Sequence, residues 1–318
     1  MADQVLPSWN DGPVRSAILD FVARVTKEGG PDFVPPSERI ATFDNDGTLW
    51  CEQPLQNQFF FAFDRLEALA AKDPSLRERQ PFKAFLERDL ATIHALGKQA
   101  AFELAFSTHA GMTADEFAGI AKEWFASARH LKLGIPYAQC IYRPQIELLS
   151  FLRANGFKTF IVSGGGIDLI RAFAEENYGI PPEQVIGSSV KLRFETSGGQ
   201  VDLMRLSELN SFDDREVKPA NIALHIGRRP ILAFGNSDGD LAMLRYMLAG
   251  KGAQLALLLH HDDAEREFAY DREFRLSPLI EALDKADEYG ITLVSMKEAW
   301  KTVFPNAPAT AAENRTSS

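Results

Sequence analysis

Two cysteines in 318 residues, Cys51 and Cys140, rule out a disulfide framework. No apolar run reaches the roughly eighteen residues of a membrane span. Basic residues are outnumbered, with 34 Lys and Arg against 44 Asp and Glu, and a formal charge of −10 argues against a general nucleic-acid surface. The opening stretch MADQVLPSWNDGPVRSAILDF is acidic and broken by prolines, so it does not read as a secretory signal. These absences predict a cytoplasmic protein with neither nucleic-acid nor membrane partners, or a periplasmic one if a leader has been removed. With 45% hydrophobic residues, the chain can bury one good core and a smaller satellite. Its composition does not fix an oligomeric state.

Short apolar runs alternating with helical periodicity predict an α/β fold: a parallel sheet, right-handed crossovers, and helices on both faces. The predicted strands are Arg39 to Phe43, Phe157 to Gly166, a third entering a hairpin at Ser197-Gly198-Gly199, a fourth before GNSDGD, and AQLALLLHH. A first helix is expected from NDGPVRSAILDFVARVTKEGG, with Asn10 or Asp11 as N-cap and Gly29-Gly30 closing it. Residues 50–143 break the alternation. They read as helices throughout, including one long stretch from PFKAFLERDL to FSTHAG and a capping box at Thr113 and Glu116. The expected organisation is a discontinuous core domain, 1–49 and 144–305, a helical cap domain, 50–143, and a disordered tail, 306–318. The phenylalanine runs of the helical block are expected to pack between helices rather than to line a cofactor or lipid pocket.

In an open parallel sheet, ligands bind beyond the carboxyl ends of the strands. Asp44 and Asp46, Ser163-Gly164-Gly165 and GNSDGD (235–240) fall at such ends, and Lys218 opens the helix before the fourth strand. Two like charges held close together need a positive partner. Crowded carboxylates suit a hard cation with oxygen ligands, and Mg²⁺ with retained waters is the natural occupant. Together with a lysine, a serine hydroxyl and glycine amides, such a site suits a phosphoryl group. Asp44, at the strand end, is placed as nucleophile. Asp46 is placed to protonate the leaving alkoxide and later to deprotonate water.

DNDGT (44–48), VSGG (162–165), Lys218 and GNSDGDLAML (235–244) resemble, in order, the four motifs of the haloacid dehalogenase superfamily. Its phosphoserine-phosphatase-like branch is the nearer likeness, because the helical block occupies that branch's cap position. The resemblance implies a Rossmann-like core with an inserted helical cap, and a Mg²⁺-dependent phosphatase acting on a small phosphate ester, such as phosphoserine, through an aspartyl-phosphate. It assigns Asp44, Asp46 and Lys218 to catalysis. Thr48, Ser163, Gly164, Gly165 and Lys218 would bind phosphate. Asp44, the Asp46 carbonyl, Asn236 and Asp240 would hold the metal. Glu52 would contact substrate, by likeness to a glutamate of the phosphoserine-specific relatives, or else be a charged linker residue. Asp46 favours phosphate-ester hydrolysis, since dehalogenating and phosphonate-cleaving relatives lack it. The fourth motif departs from the pattern, with Asn236 where an aspartate is usual, so the Asn236 amide, Asp238 or Asp240 must complete the metal site. A phosphotransferase and a non-catalytic phosphate-binding module are the alternatives.

Other features read as structural. Lys191 is expected on the surface. His260, His261, Asp262 and Asp263 are expected in a solvated loop. Trp9-Asn10-Asp11 is expected to cap the first helix rather than fold over the crevice. Cys51 and Cys140 flank the helical block and would bridge mainly if the protein were exported.

Overall fold

The computed structural model describes residues 5–305, so the tail expected to be disordered lies outside the described residues. At its centre is β1 (Ile40–Phe43), four consecutive buried residues, the pattern of a parallel strand covered on both faces. It pairs in parallel with β2 (Lys158–Gly166) and with β5 (Leu232–Gly235), so that Phe43 has Ile161 on one side and Phe234 on the other. Beyond β2 lies β3 (Val185–Ser197), parallel, and then β4 (Gln200–Ser211), antiparallel. Beyond β5 lies β6 (Leu255–Asp262), which pairs with β7 (Ala269–Tyr270) antiparallel and with β8 (Thr292–Ser295) in parallel. The order is β4-β3-β2-β1-β5-β6-β7, with β8 also on β6. Chain direction across the sheet therefore reverses beside β1, which opens a crevice at its carboxyl end.

Side chains alternate across this sheet into two buried clusters. Phe43, Ile161, Phe234 and Leu257 share one with α1 (Pro13–Thr26), α7 (Arg143–Ala154) and α8 (Ile167–Tyr178). Val162, Ala233, Ala256 and Leu258 share the other with α9 (Val217–His225) and α10 (Leu241–Leu248). Residues 57–127 form α2 (Asn57–Ala70), α3 (Phe82–Leu86), α4 (Leu90–Leu96), α5 (Lys98–Ser107) and α6 (Ala114–Ser127). Their aromatic residues pack mainly on one another: Phe59 lies 4.9 Å from Phe102, and Phe61 lies 5.4 Å from Trp124. The two chain segments leading into and out of this block run side by side. Trp50 pairs with Ile141, and the Cys51 N–H donates to the Cys140 carbonyl at 2.9 Å. Both cysteines are buried free thiols.

Several local expectations are corrected. The long helical stretch is three helices, because Arg88 takes φ +52° and Gly97 φ +81°, and Asp89 receives the Thr92 N–H at 3.2 Å to start α4. Gly12, not Asn10 or Asp11, precedes α1. Asn10 donates to the Glu298 carbonyl at 2.7 Å instead, and Asp11 pairs with Arg15. Trp9 is wholly buried, edge-on to Trp300, with its indole N–H on the Pro144 carbonyl at 3.0 Å. The capping box at Thr113 and Glu116 forms, at 2.8 and 3.0 Å. The hairpin turns where expected, with Gly198 and Gly199 both at positive φ. Lys191 is exposed and pairs with Glu208. Among the described residues no helix is long and apolar enough to cross a membrane.

Candidate active site

The first loop is a tight turn continuing β1. The Asp44 N–H still reaches the Phe234 carbonyl at 2.9 Å, and the Asn45 carbonyl accepts from Thr48 at 3.1 Å and Leu49 at 2.8 Å. Gly47 holds φ +77°, and a Cβ there would meet Asn236 Nδ2 at 2.1 Å and Glu52 Oε1 at 2.4 Å, so only glycine fits. Asp46 Oδ1 accepts from the Trp50 indole at 2.7 Å, and Trp50 stacks on Phe173 of α8 at 4.5 Å.

Lys218 enters from α9 and is fully buried. Its Nζ donates to Asp44 Oδ1 at 2.6 Å, to Asp240 Oδ1 at 2.6 Å and to the Val162 carbonyl at 2.8 Å. The second-strand turn lies beside this cluster. Ser163 Oγ accepts from the Gly165 N–H at 3.0 Å, and a Cβ on Gly165 would come within 3.0 Å of Asp46 Oδ2. Thus Asp44, Asp46, Ser163, Gly164, Gly165 and Lys218, distant in sequence, line one cleft.

The fourth loop is more constrained than its sequence suggested. Asp240 lines the cleft, but Oδ2 accepts the Asn236 and Ser237 N–H groups at 2.9 and 3.1 Å while Oδ1 holds Lys218. Its carboxylate shapes the loop and positions the ammonium. Asp238 faces away and accepts from the Ile280, Glu281 and Ala282 amides. It caps a short helix and takes no part in the cleft. Thr48, Glu52 and Asn236 are also corrected: all three are buried and absent from the cleft wall. Thr48 Oγ1 donates to Asn236 Oδ1 at 3.0 Å. Glu52 accepts from Asn236 Nδ2 at 2.9 Å, Tyr270 at 3.0 Å and Gln56 at 3.0 Å.

Electrostatically the cluster is short of positive charge. Burial, with Asp240 alongside, raises the Asp44 carboxyl against the opposing pull of Lys218. Burial also lifts Asp46 to about 6, against the Trp50 hydrogen bond and the nearby Lys218 and Lys98. Glu52 is driven well above the ordinary range by burial and then by Asp46 and Asp44. Among the described residues, no three His, Cys, Asp or Glu side chains form a ready-made metal cage. The Asp44 and Asp46 carboxylates on the cleft wall are the oxygen donors that suit a hard cation taking one or two carboxylates and keeping several waters, as Mg²⁺ does.

Sequence reasoning missed the opposite wall of the cleft. Lys98, at the start of α5, donates to Asp214 Oδ1 at 2.8 Å, and Gln56, Phe102 and Ser277 lie beside it. Asp214 had one local signal, its position four residues before Lys218; Lys98 had none. The histidine expectation fails as well. His260 does lie near the surface, beside Asp271, but His261 is buried: Nε2 donates to the Gly47 carbonyl at 2.7 Å and Nδ1 lies 3.2 Å from Glu267 Oε2. Glu267 in turn accepts from the Tyr142 hydroxyl at 2.9 Å.

Two solved structures share this architecture. A protein of unknown function from Anaerococcus prevotii DSM 20548 aligns over 89% of this chain and 91% of its own, with 18% identity and a TM-score of 0.55. A protein of unknown function from Bordetella pertussis Tohama I aligns over 81% and 98%, with 15% identity and a TM-score of 0.50. A probable phosphoserine phosphatase from Vibrio cholerae is more distant, at 15% identity over 72% of this chain and 58% of its own, with a TM-score of 0.40. No curated protein matches the sequence. The family model of haloacid dehalogenase-like hydrolases matches residues 41–245, which span β1, the helical block, the buried lysine and the fourth loop. By that match the chain belongs to the haloacid dehalogenase-like hydrolases.

Proposed function

We propose that the protein is a Mg²⁺-dependent phosphomonoester hydrolase for a small phosphorylated metabolite, with Asp44 as nucleophile. The observation that carries this reading is the convergence of Asp44, Asp46, Ser163 and Lys218 on one buried cleft. An Asp44 oxygen attacks phosphorus, the P–O bond to the substrate alcohol breaks, and an aspartyl-phosphate forms. Asp46, poised near neutrality, gives its proton to the departing oxygen and then takes one from the water that cleaves the acyl phosphate. Lys218 holds Asp44 in line and offsets charge on the phosphoryl oxygens, while Ser163 and the Gly164 and Gly165 amides supply donors. Bound Mg²⁺, which the Asp44 carboxylate and the Asp46 carbonyl would hold, would add positive charge and keep Asp44 ionised.

Residues 50–143 act in this reading as a cap over a core of 1–49 and 144–305, excluding water and setting specificity. Lys98 and Gln56, facing the cleft from that block, suit a substrate with a polar or anionic leaving group. Phosphoserine remains one candidate, but the sealed Glu52 gives no reason to prefer it. The test is Asp44→Asn. Turnover of p-nitrophenyl phosphate is expected to vanish, and turnover at the wild-type rate would overturn the nucleophile assignment.

A further inference from the structure

One ion pair crosses the mouth of the cleft. Lys98, the first residue of α5, donates to Asp214 Oδ1 at 2.8 Å, and the two side chains are only 22% and 10% exposed. The pair lies between the second and fourth loops. A Cβ on Gly164 would come within 4.0 Å of Lys98 Nζ, and one on Gly239 within 2.8 Å of Asp214 Oδ1. Inside the pair, the cleft in front of Asp44 has a volume of about 20 Å³, room for one or two waters but not for a phosphoryl group with its oxygens. Outside it lies an open groove of about 610 Å³, with Leu209, Phe212, Arg215 and Val217 in its walls. Among the described residues, Lys98 and Asp214 are the only two common to both linings.

We propose that the Lys98–Asp214 pair is a gate on the cleft: Asp214 occupies the ammonium until an anionic phosphate ester entering from the groove takes its place, and Asp214 thereby sets the affinity of the site for phosphate. The inference rests on the reading above that the cleft is a phosphate site. Its two partners are unequally anchored. Asp214 is a short side chain on a fixed loop, since Arg215 beside it takes φ +51° and gives its N–H to the Gly239 carbonyl at 3.1 Å. Lys98 has a flexible four-carbon stem and follows Gly97 at φ +81°, so opening is a swing of the lysine rather than of the loop. A phosphate monoester brings close to two negative charges and three strong acceptor oxygens against a single carboxylate, and so draws the ammonium away. Asp214 is thus a positioning residue acting through Lys98, and it touches neither phosphorus nor the reacting oxygens.

The test is calorimetric titration of the whole chain with inorganic phosphate in MgCl₂, for the wild type, Asp214→Asn, Lys98→Met and the double variant, with circular dichroism confirming the fold. Asp214→Asn is expected to tighten phosphate binding about fivefold, because the ammonium no longer has to be won from a carboxylate. In the Lys98→Met background the same substitution should change binding by less than about twofold, since Asp214 acts through the lysine. Equal or weaker binding by folded Asp214→Asn overturns the proposal. So does the same gain in both backgrounds, which would make Asp214 a repelling charge and no gate. If Asp214→Asn fails to fold, Asp214→Ser replaces it with the same expected result, and failure of both to fold makes the pair structural and overturns the gate. A wild type that binds phosphate but hydrolyses no ester overturns the hydrolase reading alone, and the four titrations still decide the gate. A wild type that binds no phosphate overturns both.

Discussion

Lys218 and Asp44 are joined at 2.6 Å across 174 residues of chain, and the same ammonium holds Asp240 at 2.6 Å. Its third proton goes to the Val162 carbonyl, which leaves Lys218 no freedom to swing. The first and fourth loops of the sheet are therefore tied through one buried cation.

Replacing that cation should be costly. In Lys218→Met, Asp44 and Asp240 face each other unneutralised, and breaking a buried pair in this way costs roughly 3–5 kcal/mol. Urea unfolding at pH 7 is expected to record a loss of that size, together with loss of turnover. Stranded carboxyls have folded pKa values above their unfolded ones, so the native state binds more protons and its stability falls as pH rises. The deficit should shrink on moving from pH 7 to pH 5, and a pH-independent deficit would contradict the assignment.

Asp46→Asn separates the two carboxylates by role. Losing a general acid lowers kcat/KM by about 10²–10⁴ for an alkyl phosphate, whose leaving group needs a proton. p-Nitrophenyl phosphate, which departs as a stable phenolate, should lose distinctly less. Equal losses on the two esters would remove Asp46 from the proton-transfer step.

Lys98 reaches the cleft from α5 and bonds to Asp214 at 2.8 Å. If it meets the substrate, Lys98→Met should raise KM about tenfold, equivalent to about 1.4 kcal/mol of binding, while kcat stays within threefold. Steady-state kinetics on a panel of phosphate esters would measure this split and show which leaving groups feel the loss. A fall in kcat at constant KM would place Lys98 in the chemistry instead.

His109 gives the fold its own pH dependence. Buried against Phe61 at 4.4 Å, with Arg65 and Arg205 nearby, it is lowered to about 3, mainly by burial. The unfolded chain takes up a proton below the ordinary histidine pKa and the native state does not, so stability declines as pH falls from about 6.5. Between pH 6 and pH 4 this contributes up to about 1.4 kcal/mol per pH unit. Urea midpoints for His109→Gln should fall less steeply with acid than those of the wild type, and parallel slopes would count against the account.

The sequence made some of this legible and hid the rest. Asp44, Asp46 and Ser163 stood out because a strand end followed by a polar turn is a local pattern, and Lys218 because it opens the helix before the fourth strand; strand order then brings them together. Lys98 and Gln56 could not be found that way, since their place depends on how helices of the inserted block pack over the cleft. His261 was misjudged for a related reason. HHDD looks like solvated polarity, while the partner that buries it, Gly47, lies 214 residues earlier. Glu52 stood out by likeness to a glutamate of the phosphoserine-specific relatives, but its burial depends on Tyr270 and Asn236, which arrive from two other segments. The strands β7 and β8, of two and four residues, carry too little pattern to be read without the edge they pair with.

Trp50 links the first loop to the helical block. Its indole donates to Asp46 at 2.7 Å, lies flat on Phe173, and has Phe125 of α6 at 5.9 Å. Indole emission responds to the charge of a bonded carboxylate and to the stacking of its ring, so this side chain is an intrinsic optical gauge at the mouth of the first loop. With Trp9, Trp124 and Trp300 changed to phenylalanine, the remaining fluorescence would follow the protonation of Asp46, with no label attached.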